Sequence, residues 1–324
     1  MRILITGGTG FIGKQLAQRL LDLGTLALDG QAPRTVERIV LFDAFDGEGV
    51  PSDPRLEVVT GDISDAPTLA RITDGIDLVW HLAAVVSSAA EADFDLGMQV
   101  NLHGLMTLLE TLRQQGRAPR LVYASGFAVF GGVLPPVVND DTALTPQSSY
   151  GMQKAVGELL VADYARKGFI DGRVLRLPTI AVRPGKPNKA ASTFFSSIIR
   201  EPLAGLPAVC PVRPDTPVYL SSPRRAVESM LLAMTLAPEA LGNQRVIPLP
   251  GLTTTVADMV AALERVAGPD AVKLIRWEPD ATIQRIVESW PSRVEAPYAR
   301  SLGFKADPDF DTLIRAHIED TAAH

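Results

Sequence analysis

Short apolar runs alternate with amphipathic stretches through the first half of the chain. Apolar runs bounded by polar or glycine positions predict buried strands, and they fall at 2–6, 38–43, 56–60, 77–82, 119–124 and 172–177. Between them, apolar positions recur at helical spacing, near 11–23, 65–73, 93–115 and 146–167. Strands that alternate with helices predict an α/β fold, in which a doubly wound parallel sheet of the Rossmann type is covered on both faces.

A glycine-rich turn directly follows the first predicted strand. It carries five candidates for contact with a cofactor, Gly7, Gly10, Phe11, Ile12 and Gly13. The glycines would allow a tight turn and a close approach to a diphosphate. The helix that follows would present its first N–H groups to that negative charge. An ordinary glycine-rich turn is the alternative, but the strand before it and the amphipathic helix after it favour a dinucleotide site.

The pattern is less regular beyond about residue 180, where helical stretches fall near 193–200, 223–236, 255–267, 280–289 and 308–320. We expect residues 1–180 to form the dinucleotide-binding domain, with 217–250 returning to it. Residues 181–216 and 251–324 would then form a smaller, partly discontinuous C-terminal lobe for the substrate. Ligands bind outside the carboxyl ends of the strands in open α/β sheets, and we expect the lobe there.

Composition disfavours several other classes of protein. With 324 residues, 46% of them hydrophobic, the chain can bury a sizeable core, and its net charge of −6 disfavours nucleic-acid binding. No apolar stretch reaches the roughly 18 residues of a membrane span, and the N-terminus, which leads directly into the first strand, predicts no signal peptide. Cys210 alone permits no intrachain disulfide, which fits a cytoplasmic setting. The four histidines are scattered, so no metal site is predicted.

A carboxylate ends the second long strand. Asp43 at this position would accept hydrogen bonds from the adenosine ribose hydroxyls and repel a 2′-phosphate, which favours NAD over NADP. It lies 30 residues after Gly13, against roughly 20 in the usual fingerprint. An inserted loop at 25–36 would account for the difference. Alternatively, Asp43 caps a turn.

The ends of the third and fourth long strands add the cofactor candidates Asp62, Ile63, Leu82, Ala83 and Ala84. Asp62 would bind the adenine amino group or cap a helix that begins near Ser64. The small residues at 83 and 84 would let the backbone touch the nicotinamide ribose. We expect His81 to be structural, and Ser87 to line a polar pocket or to lie in a loop.

The most specific chemistry is at Tyr150 and Lys154. Residues four apart lie on one face of a helix. A lysine ammonium beside a tyrosine favours the phenolate and lowers a pKa that is otherwise near 10. Tyr150 could then take the proton from a substrate hydroxyl. Such a pair also occurs by chance on helices, but here it follows a dinucleotide fingerprint.

Together these residues resemble the extended short-chain dehydrogenases/reductases. The matching pieces are residues 6–13, 81–84, Asn101, residues 129–131, and Tyr150 with Lys154. The resemblance implies that Tyr150 is the acid/base, that Lys154 holds the nicotinamide ribose, and that Asn101 supports the site. It also implies a homodimer formed by the helices near 93–115 and 146–167. Four apolar residues suit that interface, or alternatively the core, namely Leu105, Met106, Leu108 and Leu109.

The second half of the chain resembles the D-erythronate dehydrogenase branch of that family, at residues 176–191, 199–203, 222–224 and 249–252. Members oxidise the C2 hydroxyl of D-erythronate to the 2-oxo acid with NAD. The resemblance places Leu177 and Pro178 over the nicotinamide. The substrate candidates are Ser87, Ser125, Thr179, Arg183, Lys186, Asn188 and Lys189. The basic ones suit a carboxylate, although a solvated basic loop is the alternative.

One position departs from the family pattern. Gly126 lies three residues before Val129, where the family usually has the Ser or Thr that orients the reacting oxygen. Losing one such donor commonly costs about 10²–10³ in rate. Three accounts are open: Ser125 supplies the hydroxyl, a water takes its place, or the space admits a bulkier substrate.

The leading hypothesis is an NAD-dependent dehydrogenase of a small carboxylate substrate, with no nucleic-acid or membrane partner. The alternatives are a broader NADH-dependent carbonyl reductase and a nucleotide-sugar epimerase. An alternative from a different functional class is a module that binds NAD without catalysing a reaction.

Overall fold

The computed structural model describes residues 1–185 and 191–322, and the elements named here belong to those ranges. The strands are β1 (Arg2–Thr6), β2 (Thr25–Leu26), β3 (Arg34–Thr35), β4 (Arg38–Asp43), β5 (Leu56–Thr60), β6 (Leu78–His81), β7 (Arg120–Gly126), β8 (Asp171–Leu177), β9 (Thr179–Ile180), β10 (Ala208–Cys210), β11 (Pro217–Ser221), β12 (Val246–Pro248), β13 (Leu252–Thr255) and β14 (Ile275–Trp277). The α-helices are α1 (Phe11–Leu23), α2 (Ala66–Ile72), α3 (Ser87–Ala92), α4 (Phe94–Gly97), α5 (Gly104–Gln115), α6 (Ser149–Arg166), α7 (Phe194–Leu203), α8 (Pro223–Thr235), α9 (Pro238–Leu241), α10 (Val256–Ala267), α11 (Pro269–Val272), α12 (Ala281–Glu288), α13 (Pro297–Ser301) and α14 (Phe310–Ala322).

A seven-stranded sheet organises the first of two compact units in the described part of the chain. Its strand order is β12-β8-β7-β6-β1-β4-β5, and β1 pairs in parallel with both β4 and β6. The chain therefore leaves the sheet centre in both directions, which makes the gap between β1 and β6 the topological switch point. This confirms the predicted doubly wound α/β fold, and dinucleotides bind at such a point.

Periodic apolar residues build the core of this unit. Leu105, Leu108, Leu109 and Leu112 lie on one face of α5 and are buried with Leu4 of β1 and residues of the neighbouring strands. Their spacing of three and four residues puts them on one side of the helix. Leu105, Leu108 and Leu109 suited either a dimer interface or the core, and the core interpretation is therefore correct.

The two units divide the chain discontinuously. The first contains residues 1–129, 148–176 and 227–247, and the second contains 130–147, 177–226 and 248–324. The segment in the first unit, 227–247, is shorter than the predicted 217–250 because β11 pairs with β9 and β13 in a separate sheet. In the second unit, Phe195, Ile198 and Ile199 of α7 share an apolar core with α10.

The predicted helix at 93–115 is three consecutive segments. Helix α4 passes into a π-helix at Met98–His103, which passes into α5. Short π segments are frequent at functional sites, and this one carries Asn101. No helix in the described ranges is both long and apolar enough to cross a bilayer.

The predicted insertion at 25–36 is a small hairpin of β2 and β3. Its contacts lie at the amino ends of the strands: Asp29 accepts two hydrogen bonds from Arg120, at 2.7 and 3.0 Å, and Arg34 pairs with Asp77 at 3.2 Å. Arg120 is only 8% exposed, so the hairpin supplies a counter-charge to a buried guanidinium. The hairpin accounts for the long spacing between Gly13 and Asp43.

Candidate active site

The glycine turn between β1 and α1 is packed too closely for side chains. A Cβ on Gly13 would lie 2.6 Å from the carbonyl oxygens of Gly7 and Gly8. Gly7 has a positive φ of 68°, and a Cβ there would lie 2.7 Å from the amide nitrogen of Ala83. Glycine is therefore required at both positions, and the turn lies directly against the chain that follows β6.

Helix α1 begins without a side-chain cap. Its N-cap residue is Gly10, which makes no side-chain hydrogen bond to the helix, and Phe11 and Ile12 are the first two helical residues. Backbone N–H groups at such an end are available to an anion, and the helix dipole favours one. The turn and the helix start thus fit a diphosphate, as predicted from the spacing of the glycines.

Asp43 lies at the carboxyl end of β4 and is joined to the glycine turn. Its carboxylate accepts the N–H of Thr9 at 3.1 Å and that of Ala44 at 2.8 Å. The side chain is partly exposed, so the carboxylate can accept further hydrogen bonds. A carboxylate that binds the ribose hydroxyls of a dinucleotide would be needed at this place beside the turn.

Asp62 does not cap the helix that follows it, and that alternative is wrong. Helix α2 begins at Ala66, and its cap is Asp65, whose carboxylate accepts the N–H of Thr68 at 3.1 Å. Asp62 instead accepts the N–H and the hydroxyl of Ser64, each at 2.8 Å. The Ser64 N–H, followed by the Ser64 hydroxyl, lowers the pKa of Asp62. The side chain of the neighbouring candidate, Ile63, is buried against Gly104.

His81 is a buried structural residue at the end of β6. Its Nδ1 lies 2.7 Å from the hydroxyl of Thr6, and that hydroxyl also accepts the N–H of Ala83 at 3.3 Å. Burial, followed by the charge of Lys154, lowers the pKa of His81 to about 3. The ring is therefore neutral over the physiological range. The Thr6 hydroxyl thereby links His81 to the backbone of Ala83, and the Thr6 carbonyl accepts the N–H of Leu82 at 3.0 Å, so Thr6 fixes both residues. Ala84 follows them in the chain.

The first turn of α6 is fixed from two sides. The hydroxyl of Ser148 accepts the N–H of Gly151 at 3.1 Å, which caps the helix. Glu91 of α3 accepts the N–H of Ser149 at 2.9 Å, and a carboxylate is favourable at a helix N-terminus. Tyr150, the second residue of the helix, is held in place by both contacts. Ser87, an exposed residue at the start of α3, lies on the same short helix as Glu91.

The ammonium group of Lys154 is buried between two tyrosine rings. Its Nζ lies 4.8 Å from the ring centroid of Tyr123 and 5.6 Å from that of Tyr150, and it donates to the carbonyl of Ala124 at 2.8 Å. The side chain is 2% exposed, and burial lowers the pKa of Lys154 to about 8, while the charge of Glu158 raises it. At neutral pH a cation therefore faces the Tyr150 ring, as the helix spacing predicts.

Ser125 makes a contact that the sequence did not indicate. Its hydroxyl donates to Glu158 of α6 at 2.6 Å, and both side chains are buried. Because the Ser125 proton is used in this bond, the structure does not support Ser125 as the donor to a reacting oxygen. Gly126 ends β7 and provides no side chain of its own. Neither residue supplies the hydroxyl that the family pattern places at 126.

Asn101 connects the π-helix to α6, the helix that carries Tyr150 and Lys154. Its amide accepts the N–H of Val85 at 2.8 Å, and it donates to the Val85 carbonyl at 3.2 Å and to Gln153 at 2.8 Å. Gln153 is fully buried, between Tyr150 and Lys154 in sequence. Asn101 therefore supports both the segment after β6 and the helix that carries the tyrosine.

The remaining candidates belong to the second unit or lie outside the described residues. Pro178 packs beside Gly251, and Thr179 pairs with Leu220 in the three-stranded sheet, directly after Leu177. The N–H of Arg183 donates to Ser196 at 2.9 Å. Three basic or amide candidates, Lys186, Asn188 and Lys189, are not among the described residues.

Two functional candidates escaped the sequence analysis. Glu158 continues the spacing of Tyr150 and Lys154 by another four residues, and extending the pattern by one turn would have found it. Gln153 carries no such signal, because its role depends on Asn101, which is distant in sequence. Within residues 1–185 and 191–322, no group of three His, Cys, Asp or Glu side chains is arranged to hold a metal ion.

The comparisons with known proteins agree with this geometry. The model of the NAD dependent epimerase/dehydratase family matches residues 3–216. D-erythronate dehydrogenase from Cupriavidus necator is 56% identical over 321 residues, which is 99% of this chain and 98% of that protein. D-erythronate dehydrogenase from Haemophilus influenzae is 43% identical over 98% of this chain and 99% of that protein.

A solved structure of similar shape carries a different name. The crystal structure of a nucleoside-diphosphate-sugar epimerase from Agrobacterium tumefaciens superimposes with a TM-score of 0.94 at 42% identity. The match covers 100% of this chain and 95% of that one.

Replacing Gly13 by alanine tests the glycine turn. The added Cβ would clash with two carbonyl oxygens, so we expect Gly13→Ala to weaken NADH binding at least tenfold, measured by the fluorescence of bound NADH. Gly10→Ala separates packing from ligand contact, because its Cβ would lie 3.1 Å from the nearest protein atom, the Gly7 carbonyl oxygen. We expect this variant to keep the thermal stability of the unmodified protein and to bind NADH more weakly, since the methyl group takes room from the diphosphate. Equal binding by Gly13→Ala and the unmodified protein would contradict the assignment of the turn.

Proposed function

Because this chain belongs to the NAD dependent epimerase/dehydratase family, we propose that it is an NAD-dependent dehydrogenase of a small sugar acid, D-erythronate. The reaction removes a hydride from C2 and a proton from the C2 hydroxyl, and leaves the 2-oxo acid. The observation that carries the proposal is the buried ammonium of Lys154, 5.6 Å from the ring centroid of Tyr150. The two D-erythronate dehydrogenases, similar over almost their whole length, support the choice of substrate.

The glycine turn and the strand ends of the first unit would hold the cofactor. The N–H groups of Phe11 and Ile12 suit the diphosphate, and the Asp43 carboxylate suits two ribose hydroxyls. A 2′-phosphate would meet the negative charge of Asp43, so we assign NAD rather than NADP. The backbone of Ala83 and Ala84 and the Lys154 ammonium suit the nicotinamide ribose. The remaining assignments are Gly7, Gly10, Gly13, Asp62, Ile63, Leu82, Leu177 and Pro178.

Tyr150 is the residue that moves the proton. As the phenolate, its oxygen would accept the proton of the C2 hydroxyl, while bound NAD would accept the hydride from C2. The charge of Lys154 lowers the free energy of the phenolate because opposite charges attract across a site with little water. The Lys154 pKa of about 8 leaves most of the ammonium charged at pH 7. As the pH rises through about 8, the charge is lost, and with it the stabilisation of the phenolate.

The substrate carboxylate requires positive charge or N–H donors. Arg183 is the candidate for this role within the described residues, and Lys186, Asn188 and Lys189 are the candidates outside them. A guanidinium can bind a carboxylate through two parallel hydrogen bonds. Thr179 and Ser87 are further candidates for contact with the substrate hydroxyls.

A homodimer would bury an exposed apolar face of α5 and α6. Leu159 is 67% exposed and Met106 is 46% exposed, and the two helices pack against each other. Met152, Val156 and Leu159 recur at helical spacing along α6, so they extend one apolar stripe. Exposed apolar stripes of this kind mark protein interfaces, and we assign this one to a second copy of the chain.

Turnover of a panel of acids tests the proposed function. We expect NADH to form from NAD with D-erythronate and not with acids that lack a C2 hydroxyl. Activity confined to bulky ketones with NADH would indicate a carbonyl reductase. Conversion of a nucleotide sugar would indicate an epimerase, and tight NAD binding without any turnover would indicate a binding module.

Removing the Tyr150 hydroxyl tests the proton transfer. We expect Tyr150→Phe to lower kcat by about 10²–10⁴, the usual contribution of a positioned acid/base group, with NAD affinity nearly unchanged. Tyr164→Phe, the same change further along α6, should keep its activity. Turnover by Tyr150→Phe at the level of the unmodified enzyme would exclude the tyrosine from the mechanism.

Restoring a hydroxyl at residue 126 tests the departure from the family pattern. We expect Gly126→Ser to raise kcat on D-erythronate at least tenfold, since one orienting donor is commonly worth about 10²–10³ in rate. Gly126→Ala adds a Cβ without the hydroxyl and should give no gain. If the serine variant gains nothing over the alanine variant, another group already orients the substrate.

A charge on the α6 stripe tests the dimer. We expect Leu159→Glu to convert the dimer into a monomer in sedimentation velocity. Leu206→Glu changes another exposed leucine, 55% exposed in the second unit, and should leave the dimer intact. A dimer that survives Leu159→Glu, or a monomeric unmodified protein, would refute the proposed interface.

A further inference from the structure

Helix α6 presents a third polar side chain on the face that carries Tyr150 and Lys154. Glu158 follows at the same spacing of four residues, so the three side chains lie along one side of the helix. This side covers β7: Lys154 donates to the carbonyl of Ala124, and Glu158 accepts the hydroxyl of the next residue, Ser125. Two successive turns of the helix are thereby joined to two successive residues of the strand.

Glu158 is ionically paired inside the protein. Its carboxylate accepts hydrogen bonds from Nε of Arg176 at 3.0 and 3.1 Å and from Nη2 of Arg176 at 2.7 Å. It also accepts a hydrogen bond from the hydroxyl of Ser125 at 2.6 Å. Glu158 is 1% exposed and Arg176 is 7% exposed. A buried ion pair is seldom more stabilising than apolar residues of similar volume, so stability alone is a weak reason for this one.

The groups that face Lys154 narrow down the role of Glu158. Helix α6 contributes Tyr150 and Glu158, β7 contributes Tyr123, and β6 contributes His81. Arg176 of β8 is bonded to Glu158. His81 is neutral at physiological pH, and burial raises the pKa of Tyr123 far above neutrality. Glu158 is therefore the carboxylate among these groups, and it forms an ion pair with Arg176 at 2.7 Å. Its charge opposes the effect of burial on Lys154.

We propose that Glu158 is a positioning residue of the active site, which keeps the buried Lys154 in its ammonium form and, through Ser125, fixes the end of β7 beside the catalytic helix. This inference rests on the proposed dehydrogenase function for its catalytic consequence. Its electrostatic part does not require turnover. Ser125 accordingly acts through Glu158 and does not touch the reacting oxygen.

The direct test follows the protonation of Lys154 in the whole protein. Lysines labelled with ¹³C at Cε are titrated by NMR, and the Lys154→Met variant identifies the signal. In Glu158→Gln we expect the pKa of Lys154 to fall by about one pH unit or more, since a nearby opposite charge shifts a pKa by about one to three. An unchanged titration in a folded Glu158→Gln protein overturns the proposal, whatever the substrate of the enzyme is.

A second variant removes the risk that Glu158→Gln leaves Arg176 unpaired and unfolds the protein. The double variant Glu158→Gln with Arg176→Gln carries no unpaired buried charge. We expect it to fold and to retain the lowered pKa of Lys154. A purely structural ion pair predicts that the double variant titrates like the unmodified protein, and that result also overturns the proposal.

Kinetics separate Glu158 from Ser125. In Glu158→Gln we expect the alkaline loss of kcat to begin about one pH unit lower, in step with Lys154, with a smaller change in KM.

Ser125→Ala keeps the charge of Glu158, so its Lys154 titration should stay unchanged and its kcat should fall less than tenfold. Ser125→Thr should restore that loss. A loss of kcat by about 10²–10³ in Ser125→Ala would instead make Ser125 the orienting donor and refute its positioning role.

Discussion

The ammonium of Lys154, buried among aromatic rings, is the interaction on which the candidate site depends. An isolated charge would not remain in such surroundings, because burial favours the neutral amine. The surroundings hold the charge with the carbonyl of Ala124, the faces of two tyrosine rings and the nearby Glu158. We propose that this charge favours the phenolate form of Tyr150. A histidine in the same cluster, His81, is too weak a base to accept a proton at neutral pH, because burial lowers its pKa to about 3.

Much of the fold could be predicted from local sequence. Buried parallel strands are short and apolar, so their positions are evident from single runs of residues. The pair at 150 and 154 was also accessible, because helical geometry relates residues four apart. The bond between Ser125 and Glu158, the link from Asn101 to Gln153, and the true cap of α2 were not accessible. Each depends on how separate elements pack or on a boundary of one or two residues.

The family and the substrate rest on different kinds of evidence. The fold and the dinucleotide turn are common to dehydrogenases and epimerases, so a close structural match alone does not distinguish between the two. The discriminating positions are those beside the reacting carbon. By the family pattern Gly126 is one of these, and it departs from that pattern while the tyrosine and lysine are retained. The residues for proton transfer are thus retained, and the departure concerns the group that orients the substrate.

The hairpin of β2 and β3 has a consequence for recognising proteins of this kind. It lengthens the connection between the first helix and β4, yet it contacts the amino ends of the strands, whereas Asp43, the residue that we propose for the ribose, lies at the carboxyl end of β4. The added residues therefore alter the count along the chain without altering the geometry around the glycine turn. A search pattern that fixes the number of residues between the last glycine and the acid would reject this sequence. A pattern that fixes the strand ends would accept it.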